Sequence, residues 1–168
     1  MGIGRWLRHA ATTPRAVPRA FPPSALEAIG RAVHEAEAGH DGEIRFAVES
    51  ALPWSYLRRH APARQRAMMV FAKLRVWDTE RNNGVLVYVE LADRAVEIVA
   101  DRGIARHVEA AEWSRICEAM REAFRAGRFE QGAVEGVRAV GALLSRHFPL
   151  AEGVTRGNEL PDRPAVLG

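Results

Sequence analysis

Asp78, Asn82 and Asn83 lead into an apolar run, Val85–Leu91, and Asp101 follows a second run, Ala95–Ala100. Carboxylates mixed with amide oxygens are the donor set of hard cations such as Ca2+ and Mg2+. The same residue types also serve as ordinary turn formers, because their side chains bond nearby backbone. Asp101 has a second simple use as an ion-pair partner of Arg102 or Arg106. Spacing gives the four a common place. If the connection centres on Ala92 and Asp93, the two runs form a hairpin whose paired residue numbers sum to about 185. Gly84 then faces Asp101, and Asn83 faces Arg102. An earlier strand lying parallel to the first run brings Asp41 and Glu43 to the same edge. Asp78, Asn82, Asn83 and Asp101 are therefore the candidate metal ligands, with Asp41 and Glu43 as secondary candidates. His107 is the histidine nearest this edge in sequence and a speculative acid or base. The opposite edge offers Glu49, Ser50, Glu90 and Asp93, and it is the edge where open α/β sheets usually bind ligands.

The elements that must position these residues follow from periodicity. Leu26, Ile29, Val33 and Ala36 recur at helical spacing, with Ser24 and Glu27 placed as a capping box and Gly39 as the stop. Glu43–Ser50 alternates, with Ile44, Phe46 and Val48 on one side, as a half-buried strand nearer a sheet edge. Tyr56–His60 reads as a short helix. Pro62 opens another, running to about Arg75 with Ala67, Met68, Phe71 and Leu74 inward. Val85–Leu91 is apolar on both faces and therefore central. Two helices close the order. Trp113, Ile116, Met120 and Phe124 form the stripe of one, which ends at Gly127. Val134, Val137, Val140, Leu144 and Phe148 form that of the other. Gly132, Gly136 and Gly141 inside the last helix imply close packing on a neighbour, because each otherwise costs about 1 kcal/mol. The expected fold is α/β, a three-layer α/β/α sandwich around a small mixed sheet.

Composition narrows the function. The chain has 168 residues, 48% apolar, enough for one domain with a core. The net charge is +3, and residues 1–23 carry Arg5, Arg8, Arg15 and Arg19 without an acid. Residues 24–148 balance, so no basic nucleic-acid face is expected on the folded part. The organisation expected is a basic N-terminal arm over residues 1–23, a domain over 24–148 and a flexible tail over 149–168. The arm is either disordered or, through Trp6 and Leu7 among arginines, a very short interfacial helix making peripheral contact with an anionic membrane. A single cysteine, Cys117, excludes an intrachain disulfide, and its apolar helical setting marks it as core. The six histidines lack metal-ligand spacing, and no glycine-rich phosphate loop or nucleophile elbow occurs. With no spanning segment and no signal-peptide pattern, the expected location is cytoplasmic.

Several spaced segments together resemble a known family. These are Leu74-Arg75-Val76-Trp77, then Asn83-Gly84-Val85-Leu86-Val87-Tyr88-Val89, then Asp93-Arg94, then Val96-Glu97-Ile98-Val99 and Gly103-Ile104. With Gly42-Glu43-Ile44 and the Phe124–Gly136 region, they resemble the TPM-domain family of bacteria and chloroplasts over about residues 24–148. The resemblance implies an α/β/α sandwich. It also implies one of two activities, since some members are described as acid phosphatases or divalent-metal binders and others as accessory proteins of membrane assemblies. The family's usual Asp before Asn-Gly is Asn82 here, which removes a carboxylate, and Asp101 restores one at the hairpin exit. The favoured expectation is a non-catalytic module that binds a protein partner, near a membrane through residues 1–23. The alternative is a phosphatase acting on phosphate monoesters with Ca2+ or Mg2+ at the Asp78/Asn83/Asp101 edge.

Overall fold

A computed structural model describes residues 3–151, 153 and 157–168. The described elements are α1 (Ile3–Ala11), α2 (Ala16–Ala20), α3 (Pro23–Glu37), β1 (Glu43–Glu49), α4 (Trp54–Arg58), α5 (Ala63–Lys73), β2 (Gly84–Glu90), β3 (Ala95–Ala100), α6 (Arg102–Ala105), α7 (Ala110–Arg125), α8 (Phe129–His147) and β4 (Ala165–Leu167). The four strands form one sheet in the order β3-β2-β1-β4. β1 runs parallel to both β2 and β4, and β2 is antiparallel to β3. Helices α3, α7 and α8 share one core with Ile44, Phe46, Val48, Val85, Val87 and Val89. On the other face α5 packs on Ala47, Leu86, Tyr88 and Val99. The α/β/α sandwich is thus the architecture.

The register is the one the hairpin sum requires. Val85 pairs with Ala100 and Glu90 with Ala95, and the Asp101 N–H donates to the Gly84 carbonyl at 2.8 Å. Glu43 lies opposite Gly84. β2 is buried along its whole length, as a run apolar on both faces demands. The α8 glycines do mark close contact. A Cβ on Gly132 would come within 2.6 Å of the Ala123 Cβ, and one on Gly141 within 2.6 Å of the Ala36 Cβ.

Several expectations are corrected. β1 is interior, because β4 from the C-terminal segment pairs with Ala47–Glu49. That segment is no loose tail where it is described. Leu160 is buried, and the Glu43 carboxylate accepts from the Glu159 and Leu160 N–H groups at 3.3 and 3.2 Å. Residues 152 and 154–156 of the expected tail lie outside the described residues. The N-terminal segment is likewise packed. Val17 and Phe21 join the main core, and the Phe21 ring meets Phe46, Phe124 and Phe129 edge-on. The capping box at Ser24 is absent. Pro23 starts α3 where its missing donor does no harm, Pro22 is extended as a residue before proline should be, and no side chain caps the end. The buried face of α5 is Ala63, Ala67 and Val70, and Met68 is 57% exposed. Ala67, Phe71 and Leu74 of the expected stripe do pack on the sheet, and Val70 takes the inward place expected of Met68.

Gly84 is the tightest joint between the layers. A Cβ there would lie 2.0 Å from the Val76 carbonyl oxygen, a backbone atom that cannot swing aside. Gly84→Ala should therefore lower stability by about 3 kcal/mol or more in chemical denaturation. Gly4→Ala, where nothing stands within 4 Å, should be neutral or stabilising by up to about 1 kcal/mol.

Candidate functional site

At the start of β2 two loops meet. The Glu43 N–H donates to the Asn83 carbonyl at 3.0 Å, and the Gly103 N–H donates to the Asn82 carbonyl at 3.0 Å. Asn82 lies in the left-handed region, φ 54°, which asparagine tolerates better than most residues. The Asn83 N–H donates to the Thr79 hydroxyl at 3.1 Å, and its side-chain amide donates to the Asp41 carbonyl. That bond fixes which end of the amide carries the oxygen. Asp101 caps α6, its Oδ1 accepting from the Arg102 N–H at 2.6 Å. Asn83 and Asp101 are both 7% exposed. The Asn83 Oδ1 and the Asp101 Oδ2 are buried and have no donor among the described residues.

The other expected residues disperse. Asp41 is at this edge, but its carboxylate pairs with Arg81. Glu43 is there too, turned to the opposite layer and the C-terminal segment. Asp78 is exposed and pairs with Arg75 at 3.1 Å. Asn82 contributes its backbone carbonyl through the bond to Gly103. His107 is exposed, with its ring edge-on to Phe148 at 5.6 Å. Asn83 and Asp101 are therefore the two expected residues with a buried, unpartnered side-chain oxygen, on loops that flank the start of β2, and Thr79 is the neighbour that spacing did not reveal. A hydroxyl four residues before an Asn-Gly turn is the signal that would have suggested it.

The opposite edge, at the ends of β1 and β2, is richer in charge and more completely satisfied. Glu49 accepts two bonds from Arg66 at 2.6 and 2.9 Å and one from the Tyr88 hydroxyl at 2.7 Å. The hydrogen bond to Glu49 holds the Arg66 guanidinium still more firmly protonated, and burial keeps the Tyr88 phenol protonated. Glu90 is fully buried, and its oxygens accept from the Ala92 and Asp93 N–H groups at 2.8 and 2.9 Å. Burial pushes its carboxyl up to about 7. α1 docks on this edge. Arg5 and Arg8 donate to Asp93 at 2.7 and 3.0 Å, and the His9 Nε2 lies 3.1 Å from the same carboxylate. Desolvation of Asp93 is outweighed by these partners, so its carboxyl is held below the usual range. Arg5, Arg8 and His9 were missed as a unit, although their spacing puts them on one helical face.

His9, Glu90 and Asp93 offer ligand atoms within 4.8 Å of one another. Their chemistry favours an ion-pair latch over a metal centre. The His9 Nδ1 accepts the Leu52 N–H at 3.1 Å, so in the neutral ring the proton sits on Nε2, facing Asp93. A cation at Nε2 would have to displace that proton and compete with two arginines. Cys117 is buried, and desolvation raises its thiol to about 11, which suits core rather than nucleophile. A depression of about 690 Å³ lies between α3 and the Asp162–Arg163 segment and touches neither edge cluster.

Glu90 generates a pH test. Between its ordinary value, 4.5, and about 7, the folded protein keeps a proton that the unfolded chain releases. Its favourable contribution is therefore complete below about 4.5 and lost as pH rises through about 7. The Asp93 stabilisation runs the other way and fades only at lower pH, as its carboxylate protonates. Unfolding free energy should fall by on the order of 2–3 kcal/mol between pH about 5 and 8. Glu90→Gln should be less stable, since its NH2 would face a backbone N–H, but should lose that slope. Denaturant unfolding at a series of pH values reads both.

Comparison with known proteins agrees with this fold. The TPM domain matches residues 19–143. No curated protein matches the chain. Among solved structures, the chain is similar to the NMR structure of the BA42 protein from the psychrophilic bacterium Bizionia argentinensis. The two are 31% identical with a TM-score of 0.73, over 85% of this chain and 92% of that one. A domain match over most of the folded residues, with an α/β/α sandwich built on an Asn-Gly strand and an Asp-Arg hairpin, places this chain in the TPM-domain family.

Proposed function

We propose that the chain is an accessory TPM module that binds a divalent cation, Ca2+ or Mg2+, where the Asn83 and Asp101 loops meet, and that it is not itself a catalyst. The observation that carries this is the pair of buried oxygens, Asn83 Oδ1 and Asp101 Oδ2, left without donors on adjoining loops. A buried acceptor with no donor costs about 1–3 kcal/mol, more when charged, and a hard cation is the kind of partner such oxygens take. Asn83 and Asp101 would hold it, with the Thr79 hydroxyl supporting the Asn83 backbone. The cation would bring positive charge to this edge and tie the two loops together.

A binding role rather than a hydrolytic one is supported by the groups around the pair. Asp41 is neutralised by Arg81, Asp78 by Arg75, and the His107 ring lies against Phe148. Asp101 is the carboxylate of the expected set whose open oxygen is buried, while Asp41 and Asp78 are each engaged by an arginine. Low ligand charge also implies weak binding, with a Kd on the order of 10⁻⁴–10⁻³ M for Ca2+. Among the described residues no helix is long and apolar enough to cross a membrane.

Calorimetric titration with Ca2+ and with Mg2+ should give one site in that range. Asp101→Asn should weaken it at least tenfold, while Asn remains a good helix cap and keeps the fold. Absence of binding up to 10-fold above that range, or an unchanged affinity in Asp101→Asn, would overturn the cation site. Cation-dependent hydrolysis of p-nitrophenyl phosphate that disappears in Asp101→Asn would make the module a phosphatase instead.

A further inference from the structure

A cavity of about 340 Å³ opens beside the end of β2, on the opposite side of the sheet's length from the Asn83–Asp101 pair. α2, the last residues of β2 and the Phe124 and Phe129 region between α7 and α8 enclose it. Its size falls at the small end of ligand-binding cavities, which run from about 300 to 1,000 Å³. Val89, Leu91, Phe124 and Phe129 supply apolar wall. The two phenylalanine rings stack at 5.4 Å and 21°, and Phe21 braces both edge-on from the core. This wall is therefore rigid and preformed.

Two cations border the same cavity, Arg19 from α2 and Arg94 from the β2–β3 turn. Both are exposed, and neither guanidinium makes an ion pair or hydrogen bond with any described residue. Most other arginines near the sheet ends are committed, Arg5 and Arg8 to Asp93 and Arg66 to Glu49. Arg94 also sits in the left-handed region, φ 55°, where Gly or Asn would be easier. Glu90 borders the cavity as well. Its oxygens accept from the Ala92 and Asp93 N–H groups, and it forms no ion pair with either arginine.

An apolar wall with two unpaired guanidiniums at its rim selects a ligand with one apolar end and one anionic end. We propose that this cavity binds a small monocarboxylic acid, its hydrocarbon or aromatic body against Phe124 and Phe129 and its carboxylate paired with Arg19 and Arg94. Guanidinium binds carboxylate through two parallel hydrogen bonds, which gives direction as well as attraction. The site is independent of any cation at the Asn83–Asp101 loops, because the two share no residue.

Octanoate, octan-1-ol and octylammonium share a chain and differ in charge, so they separate the two halves of the proposal. Titrated into the full chain and followed by 1H–15N NMR, octanoate should shift the amides of Val89, Leu91, Arg94 and Phe129. It should bind at least fivefold more tightly than octan-1-ol. The Arg19→Gln/Arg94→Gln double variant, which alters only exposed side chains, should keep its melting temperature and lose that fivefold preference. Ala16→Leu, which narrows the cavity from α2, should weaken octanoate and octan-1-ol together. The proposal fails if octanoate shifts no amide in this set, or shifts only amides elsewhere on the chain. It also fails if octan-1-ol or octylammonium binds as tightly, or if the double variant binds octanoate like the parent.

Discussion

Buried carboxylates at the ends of the two central strands govern the rest of this molecule. Glu43 and Glu49 bound β1, and Glu90 closes β2; all three are buried. A buried charge or polar group is tolerated only with donors supplied to it. The donors come from segments far away in sequence. The Glu159–Leu160 backbone serves Glu43, Arg66 of α5 and Tyr88 serve Glu49, and the turn backbone after β2 serves Glu90. Asp93, in the same turn, is then met by Arg5, Arg8 and His9. The C-terminal segment thus supplies donors to a buried acid, and the N-terminal segment adds an ion-pair latch at Asp93 to its apolar packing through Val17 and Phe21.

This makes the two ends of the sheet chemically unlike. The end carrying Glu49, Glu90 and Asp93 is dense in charge and nearly closed by its own partners. The end carrying Asn83 and Asp101 holds little net charge, yet two of its buried oxygens have nothing to bond. Satisfied ion pairs are structural, and open buried acceptors are where a ligand gains most. General experience of open α/β sheets points to the carboxyl ends of the strands. Here that end contributes the latch and the arginine-rimmed cavity, and the proposed cation site is at the other.

The hairpin was legible because it rests on local rules. A run apolar on both faces had to be central, and Asn-Gly and Ala-Asp fixed where it started and turned, so Gly84 opposite Asp101 followed. The long-range partners were not legible. Residues 1–23 lack an apolar stripe long enough to declare packing, yet Val17 and Phe21 are core residues, and Arg5 and Arg8 read as a free basic arm until Asp93 is placed beside them. β4 is three residues long, below the length at which alternation can be seen. On α5 one residue was misplaced, Met68, which is apolar without being buried. In the site, Asp78 was grouped with Asn83 by proximity in sequence. The turn after α5, with Arg75 at φ 56°, gives Asp78 to Arg75 instead.

The central claim is that a cation belongs where Asn83 and Asp101 meet. Residue-resolved 1H–15N NMR during a Ca2+ titration tests it most directly, because it locates the ion without assuming an activity. The account predicts progressive, saturable shifts confined to the Thr79–Gly84 and Asp101–Ile104 amides. Shifts centred on His9, Glu90 and Asp93, or no saturable shift at either end of the sheet, would contradict it.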